Sequence, residues 1–92
     1  MNLIRATLRI SGRVQGVGYR NFVQQSATSF ALTGWARNCT DGDVEVVVEG
    51  EEGDIRHLIN CCQQGPSRAQ VDKVNMSLSA HTGEFGSFSI RY

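Results

Sequence analysis

The sequence is poor in lysine and in proline, each of which occurs once among its 92 residues. A single proline, together with an apolar content of 40%, argues against a disordered chain. No apolar stretch approaches the roughly 20 residues that a membrane-spanning helix needs. Met1–Arg5 lacks the basic and apolar runs of a signal peptide. We therefore expect one globular domain over residues 1–92, without contact to a membrane and located in the cytoplasm.

Cysteine is also scarce and has no useful spacing. The three residues are Cys39 and the adjacent pair Cys61 and Cys62. An odd number that includes an adjacent pair is a poor disulfide framework. Because the chain has no Cys-x-x-Cys motif and no nearby pair of histidines, these residues also make a poor zinc site. We predict free thiols in a reducing compartment and no metal site.

Acidic residues are absent from residues 1–40, and basic residues are absent from residues 41–54. The first region contains five arginines, Arg5, Arg9, Arg13, Arg20 and Arg37, and the second contains seven acids. Arginine's planar fork matches carboxylate and phosphate groups, so the positive first region fits a small anionic ligand. The formal net charge of zero argues against nucleic acid as a partner, since nucleic acid requires a basic face.

Hydrophobic periodicity predicts four principal strands and two helices. Extended patterns cover 3–10, 33–38, 44–49 and 71–78, helical patterns cover 22–32 and 55–62, and a last extended stretch around Phe88 ends at Tyr92. An irregularity is expected near Asp72, and Asp41-Gly42 is typical of a hairpin turn. The order favours an α+β, ferredoxin-like βαββαβ fold, with a four-stranded antiparallel sheet and both helices on one face. The first and third strands are then neighbours at the centre.

The stretch Ser11–Arg20 contains three glycines, Gly12, Gly16 and Gly18, and leads directly into the first predicted helix. Glycine adopts positive φ and has no Cβ to obstruct a ligand. Such a turn can direct several backbone N–H groups into one concavity, which the positive end of the helix also faces. We interpret it as a phosphate cradle closed by Arg20. The glycine spacing alone is equally compatible with a tight strand-to-helix turn, and it matches neither a Walker A loop nor a dinucleotide fingerprint.

Arg20 and Asn38 are the candidate catalytic residues. The guanidinium at the loop-to-helix junction could bind two phosphate oxygens. Asparagine offers both a donor and an acceptor, so Asn38 at the end of the second strand could hold a water in line with a phosphorus atom. No base is evident nearby. A carboxylate leaving group needs no general acid, and a phosphate oxygen of the substrate could take the proton of the water.

Three alternatives compete with phosphoryl hydrolysis by Arg20 and Asn38. Cys62 and Arg68 satisfy the Cys-x₅-Arg spacing of cysteine phosphatases, but this cysteine ends a predicted helix instead of a strand. An RNA-binding module needs exposed aromatic residues on its central strands, and 3–10 and 43–49 contain none. A catalytically inactive anion-binding module with the same cradle stays open, because only an assay separates it from an enzyme.

The chain resembles the acylphosphatase family at two separated motifs and at its end. The first motif is Ile10-x-Gly12-x-Val14-Gln15-Gly16-Val17-x-Tyr19-Arg20. The second is Gly34-Trp35-Ala36-Arg37-Asn38-x-x-x-Gly42-x-Val44, followed by Gly50, and the ending is Phe88-x-Ile90-Arg91-Tyr92. The resemblance spans the whole chain. It departs from the family at Tyr19, where phenylalanine is usual.

The resemblance implies a hydrolase that splits small acyl phosphates into carboxylate and phosphate, with neither metal nor cofactor. It implies that the phosphate is held by backbone N–H groups of the cradle, namely Val14, Gln15, Gly16, Val17, Gly18 and Tyr19. Arg20 would bind the phosphate and Asn38 would orient the water. The same resemblance implies the ferredoxin-like fold. Small size and neutral charge make a monomer the default expectation.

Overall fold

A computed structural model describes residues 2–92. The elements in chain order are β1 (Leu3–Arg13), α1 (Tyr19–Ser29), β2 (Thr33–Asn38), β3 (Val44–Glu51), α2 (Glu52–Gln64), β4 (Gln70–Ala80) and β5 (Phe88–Arg91). The strands form one sheet in the order β4-β1-β3-β2-β5. The α+β ferredoxin-like class is therefore confirmed, and β1 and β3 are neighbours at the centre as predicted.

The predicted four-stranded, wholly antiparallel sheet is wrong in two respects. The sheet has five strands, and the fifth pairs in parallel with β2, with Gly34 opposite Phe88 and Arg37 opposite Arg91. The other neighbouring pairs are antiparallel. A four-residue strand carries too little alternation to reveal its partner. Its pairing depends on where the chain goes after β4, which no local pattern specifies.

Element boundaries also shift from their predicted positions. β1 continues to Arg13, and α1 ends at Ser29, short of the predicted end at Leu32, because Ala31 adopts a left-handed φ of 57°. The irregularity expected near Asp72 is confirmed as a break in register, since Ser11 pairs with Lys73 and Gly12 with Val71. The extra residue is a β-bulge, which bends the strand and increases its twist.

Gly12 belongs to this bulge and does not line the loop that follows. The φ of Gly12 is +125°, and a Cβ at this position would lie 2.2 Å from the carbonyl oxygen of Gln70. Gly34 is required for the same reason in β2, where a Cβ would lie 1.9 Å from the carbonyl oxygen of Val47. Both glycines let neighbouring backbones approach closely, which is a structural requirement of the sheet.

The core lies between one face of the sheet and both helices. Even-numbered residues of β1 and β3 alternate inward and meet apolar residues of the helices in one cluster. Its fully buried members include Leu8, Ile10, Val23, Ile55 and Leu58. Burying each such side chain stabilises the fold by about 1.5–3 kcal/mol. The core thereby fixes the first turn of α1 relative to the ends of β1 and β2.

The opposite face of the sheet is polar, and it buries one carboxylate. Glu49 on β3 is 1% exposed and accepts hydrogen bonds from Arg5, Thr82 and Gly83. Burial raises the pKa of this carboxyl group, but the hydrogen bonds outweigh burial and hold the pKa at about 2. The ionised form is therefore the one that the folded protein stabilises.

The contribution of Glu49 to the free energy of unfolding should depend on pH. A folded-state pKa of about 2 against an ordinary value of 4.5 means that the contribution is complete above about pH 5 and is lost towards pH 2. We expect the stability difference between wild type and Glu49→Gln to narrow by roughly 2–3 kcal/mol over that interval. Urea denaturation at a series of pH values measures it, and a constant difference would contradict the prediction.

Candidate active site

A cleft of about 210 Å³ lies where the loop after β1 enters α1. It is lined by loop residues, the first turn of α1, the end of β2 and the end of β5, namely Val14, Gly16, Gly18, Tyr19, Arg20, Asn21, Asn38, Ile90 and Tyr92. The cleft therefore brings together Arg20, Asn38 and most of the predicted cradle. It lies where three separate parts of the chain meet.

Two left-handed glycines shape the loop. Gly16 and Gly18 have φ values of +73° and +78°, and a Cβ on either would project into open space. Gly18 is also the N-cap of α1 and supplies no side-chain cap. Within residues 2–92, no protein acceptor is found for the backbone N–H groups of residues 15–18. The loop therefore presents unpaired donors beside the positive end of a helix, which is an arrangement that favours an anion.

Arg20 lies in the first turn of α1 and lines the cleft. Its Nη1 donates to the carbonyl oxygen of Arg91 at 3.2 Å, and its guanidinium carbon lies 4.8 Å from the centre of the Tyr92 ring. Among the described residues, no carboxylate lies within ion-pair distance of Arg20, in contrast to Arg5, Arg9, Arg37 and Arg56. Neutral groups therefore hold the guanidinium of Arg20, and its positive charge is available to a ligand.

Asn38 ends β2 and faces the cleft. Its Oδ1 is buried and accepts no hydrogen bond from any residue in the range 2–92. A buried acceptor without a partner is costly, at about 1–3 kcal/mol, so it indicates a ligand or water that the site is built to hold. Asn38 therefore lies in the same cleft as Arg20, and its role in orienting a water stays a prediction.

Gln15 connects the loop to the turn that follows Asn38. Its Nε2 donates to the carbonyl oxygens of Cys39 and Asp43, at 2.8 and 2.9 Å. The same turn is closed by a hydrogen bond from the Cys39 N–H to the Asp43 carbonyl at 2.8 Å. The side chain of Gln15 therefore points away from the cleft and holds the two walls of the site at a fixed separation.

The larger side chains of the predicted cradle are buried. Val14 and Val17 belong to the core, and of these two only Val14 borders the cleft. Tyr19 is 1% exposed, and its hydroxyl donates to the carbonyl oxygen of Cys62 at 2.7 Å. The hydroxyl that distinguishes this residue from phenylalanine thus joins the two helices and lies away from the phosphate cradle.

Sequence reasoning missed four contributors to the site. Asn21, Ile90 and Tyr92 line the cleft, and the carbonyl of Arg91 holds Arg20. The last three belong to the end of the chain, whose likeness to the family was noted without a role. The parallel pairing of β5 brings them beside α1, and that pairing has no sequence signal of its own.

The cysteine phosphatase alternative does not fit the structure. Cys62 is fully buried in the core, and burial raises the pKa of its thiol to about 12. A thiol of this kind is not a nucleophile near neutral pH. Arg68 lies outside any helix, so the two residues do not frame a phosphate loop.

The remaining surface offers a larger groove of about 300 Å³ between α2 and β4, lined largely by apolar side chains such as Ile59, Met76 and Leu78. It has no loop of unpaired N–H groups, so the smaller cleft is the better candidate for an anion. Residues 2–92 contain no cluster of three or more His, Cys, Asp or Glu side chains suited to a metal ion. No helix in this range is long and apolar enough to cross a membrane.

The fold and the cleft define a ferredoxin-like α+β domain with a glycine-rich loop at the start of its first helix. The family model described as acylphosphatase matches residues 6–90. An acylphosphatase of Geotalea uraniireducens is 44% identical over 89 residues, which cover 97% of this chain and 98% of the relative. The chain therefore belongs to the acylphosphatase family of hydrolases.

Solved structures agree with this assignment. The crystal structure of acylphosphatase from Bacillus subtilis superposes with a TM-score of 0.94 at 34% identity, covering 97% of this chain and 99% of that one. The structure of an acylphosphatase from Coxiella burnetii gives a TM-score of 0.91 at 36% identity, covering 98% and 94%. The five-stranded sheet is thus shared with relatives that match along nearly their whole length.

Tyr19→Phe should affect stability and leave catalysis unchanged. Residue 66 is proline, so the carbonyl of Cys62 has no helical N–H partner four residues ahead, and the Tyr19 hydroxyl supplies the missing donor. Its loss should lower the free energy of unfolding by about 1–2 kcal/mol. Because the hydroxyl points into the protein, kcat/KM should stay within about twofold. Denaturation and acyl phosphate hydrolysis measure the two quantities, and a large loss of kcat would contradict this placement.

Proposed function

We propose that this chain hydrolyses small acyl phosphates to carboxylate and inorganic phosphate, using its own residues and no metal ion or cofactor. The observation that carries the proposal is the buried Oδ1 of Asn38, which has no hydrogen-bond partner among residues 2–92 and shares a cleft with Arg20, a guanidinium that has no carboxylate partner in the same range. One group accepts a hydrogen bond from a water molecule, and the other attracts the phosphoryl group. Their combination favours hydrolysis over simple anion binding.

In the proposed complex, the phosphoryl oxygens accept hydrogen bonds from the backbone N–H groups of Val14 to Tyr19 and from the guanidinium of Arg20. These donors are in place before the substrate arrives, so little reorganisation accompanies the build-up of charge on the phosphoryl oxygens. The left-handed turns at Gly16 and Gly18 support this role, because they expose the amides and leave space above them.

The chemical step is an in-line displacement at phosphorus. Asn38 Oδ1 accepts a hydrogen bond from the attacking water. This bond directs the oxygen of the water at the phosphorus atom. A phosphorus–oxygen bond to water forms while the bond to the acyl oxygen breaks, and the acyl group leaves as a carboxylate. The proton of the water passes to a phosphoryl oxygen, so no protein base is required. The weak basicity of a carboxylate makes a protein acid unnecessary as well.

We further infer that residues 1–92 act as one monomeric domain in the cytoplasm, without a nucleic-acid or membrane partner. One continuous core supports the single domain. The three unpaired cysteines, two of them buried, suit a reducing compartment. Arg5, Arg9 and Arg37 on the open face of the sheet are paired with carboxylates, which reduces the positive charge that this face offers to a polyanion.

Arg20→Gln should impair both substrate binding and turnover, since the guanidinium binds the phosphoryl group in the ground state and in the transition state. Losing a donor aimed at developing charge lowers kcat by roughly 10²–10³-fold, and KM should rise as well. Benzoyl phosphate hydrolysis in excess EDTA measures the effect. The wild type should keep its activity under chelation.

The control for this experiment is Arg68→Gln, which removes an exposed arginine without an ion pair among residues 2–92. It should behave as wild type. Loss of wild-type activity in EDTA would contradict the metal-independent reaction, and a fully active Arg20→Gln variant would contradict the role of the arginine. If the folded wild type were inert towards acyl phosphates, the inactive anion-binding alternative would replace the proposed reaction.

Asn38→Ala should lower kcat by about 10²-fold while KM stays within about twofold, because the water is aligned mainly in the transition state. Asn75→Ala is the matched control, since Asn75 is exposed on β4 and does not line the cleft. Steady-state kinetics on both folded variants separates kcat from KM. Equal turnover in the two variants would remove Asn38 from the mechanism.

A further inference from the structure

Glu49 is the one buried charged residue among residues 2–92, and the proposed reaction does not use it. Its Oε2 accepts from Arg5 Nε at 2.6 Å, from Thr82 Oγ1 at 2.8 Å and from Thr82 N at 3.1 Å. Its Oε1 accepts from Gly83 N at 2.9 Å and lies 3.5 Å from His81 Nε2. A buried carboxylate with this many donors is an anchor, and most of its donors belong to one stretch of chain.

That stretch is residues 81–87, the crossover segment, which connects β4 to β5. The two strands lie at opposite edges of the sheet, so the segment passes over β1, β3 and β2 on the face away from the helices. Four strand spacings amount to about 19 Å, and the chain from residue 80 to residue 88 reaches at most about 26–29 Å. The connection can therefore span the sheet only if the chain is extended over much of its length.

The anchor holds the crossover segment near the middle of its path. Glu49 on β3 and Arg5 on β1 are directly paired in the sheet register. Arg5 also contacts the segment, because its Nη2 lies 3.2 Å from Glu84 Oε2 and its guanidinium carbon lies 5.0 Å from the centre of the Phe85 ring. These two central side chains fix how the segment approaches the far edge.

The far end of the crossover segment leads directly to the active site. Ser87 accepts a hydrogen bond from the N–H of Gly34 at 3.0 Å, which starts the pairing of β5 with β2. Four residues further, the carbonyl of Arg91 accepts from Arg20, and the ring of Tyr92 lies against the same guanidinium. The four-residue β5 pairs with β2, buries Phe88 in the core and accepts a hydrogen bond from Gln24 at the Phe88 carbonyl, and the crossover segment sets where it enters the sheet.

We propose that Glu49 is a positioning residue for Arg20, acting through the crossover segment and β5. The inference rests on the proposed role of Arg20 in binding phosphate. The backbone N–H of Thr82 donates to one carboxylate oxygen of Glu49 and that of Gly83 donates to the other, so both oxygens must act as acceptors. Glutamine would direct an NH₂ group at one of those donors, so Glu49→Gln should release the segment without changing side-chain volume.

Releasing the segment should affect phosphate binding more than the chemical step. Arg20 is positioned by β5, whereas Asn38 is positioned by β2 and by the bonds from Gln15. Because Arg20 serves both binding and turnover, Glu49→Gln should raise KM and the inhibition constant of inorganic phosphate, and it should lower kcat by a much smaller factor than Arg20→Gln does. A residue that only stabilised the fold would lower the unfolding midpoint and leave both constants of the folded enzyme as in wild type.

The test is steady-state hydrolysis of benzoyl phosphate with inorganic phosphate as competitive inhibitor, on folded protein at neutral pH. We expect KM and the inhibition constant to rise about three- to tenfold in Glu49→Gln, the range of coupling seen for distant positioning contacts. Glu45→Gln is the matched control. It makes the same substitution on the same strand and face, breaks the ion pair with Arg37, and does not touch the crossover segment. The KM and the inhibition constant of Glu45→Gln should stay within about twofold of the wild-type values.

Thr82→Ala covers the case in which Glu49→Gln does not fold, because it removes one hydroxyl donor and keeps the carboxylate. It should raise the inhibition constant in the same direction by about three- to fivefold, which lies outside the twofold range set for the control. Tyr92→Ala should combine less than additively with either variant, since all act on one guanidinium.

Wild-type inhibition constants in folded Glu49→Gln, or in Thr82→Ala where the former is unfolded, would overturn the positioning role. If Arg20→Gln is impaired at the same time, the proposed function stands and only this inference fails. If Arg20→Gln is itself indistinguishable from wild type, the proposed function fails first and this inference falls with it.

Discussion

The arrangement of the candidate cleft depends on backbone N–H groups for which residues 2–92 provide no acceptor. Left-handed turns at Gly16 and Gly18 turn the loop after β1 inward, and the first turn of α1 adds donors of its own. Unpaired amides in a partly enclosed site favour an anion. The buried oxygen of Asn38 is the complementary feature, an acceptor placed beside a set of donors. A phosphoryl group with an attendant water satisfies both kinds of group at once.

The rest of the molecule serves to keep these groups together. The core fixes α1 against the sheet, and Gln15 ties the loop to the turn beyond Asn38. The parallel edge strand β5 brings a carbonyl and an aromatic ring to Arg20. Holding the guanidinium with neutral groups keeps its charge for the ligand, whereas a carboxylate partner would compete with the phosphate. The carboxylates of this chain are used elsewhere, chiefly on the open face of the sheet.

Local patterns predicted a large part of this structure. Alternation in Leu3–Ile10 and the glycines before Tyr19 located the central strand and the loop, because both signals arise within a few residues. The irregularity near Asp72 was also visible as a break in alternation. An extended stretch around Phe88 was predicted, but its place as the fifth strand, its parallel partner β2 and its contacts with Arg20 were not, since they depend on how the chain crosses the sheet. The departure from the family at Tyr19 was visible in the sequence, but the partner of its hydroxyl, the carbonyl of Cys62, is known only from the way the two helices meet.

Direct binding of phosphate by the loop amides and Arg20 can be followed by titrating ¹⁵N-labelled protein with inorganic phosphate in EDTA and recording the backbone amide resonances. We expect saturable shifts concentrated at residues 15–20, with the Asn38 side-chain amide affected as well, and their loss in Arg20→Gln. Shifts that spread over the open face of the sheet, or that survive unchanged in Arg20→Gln, would contradict this binding.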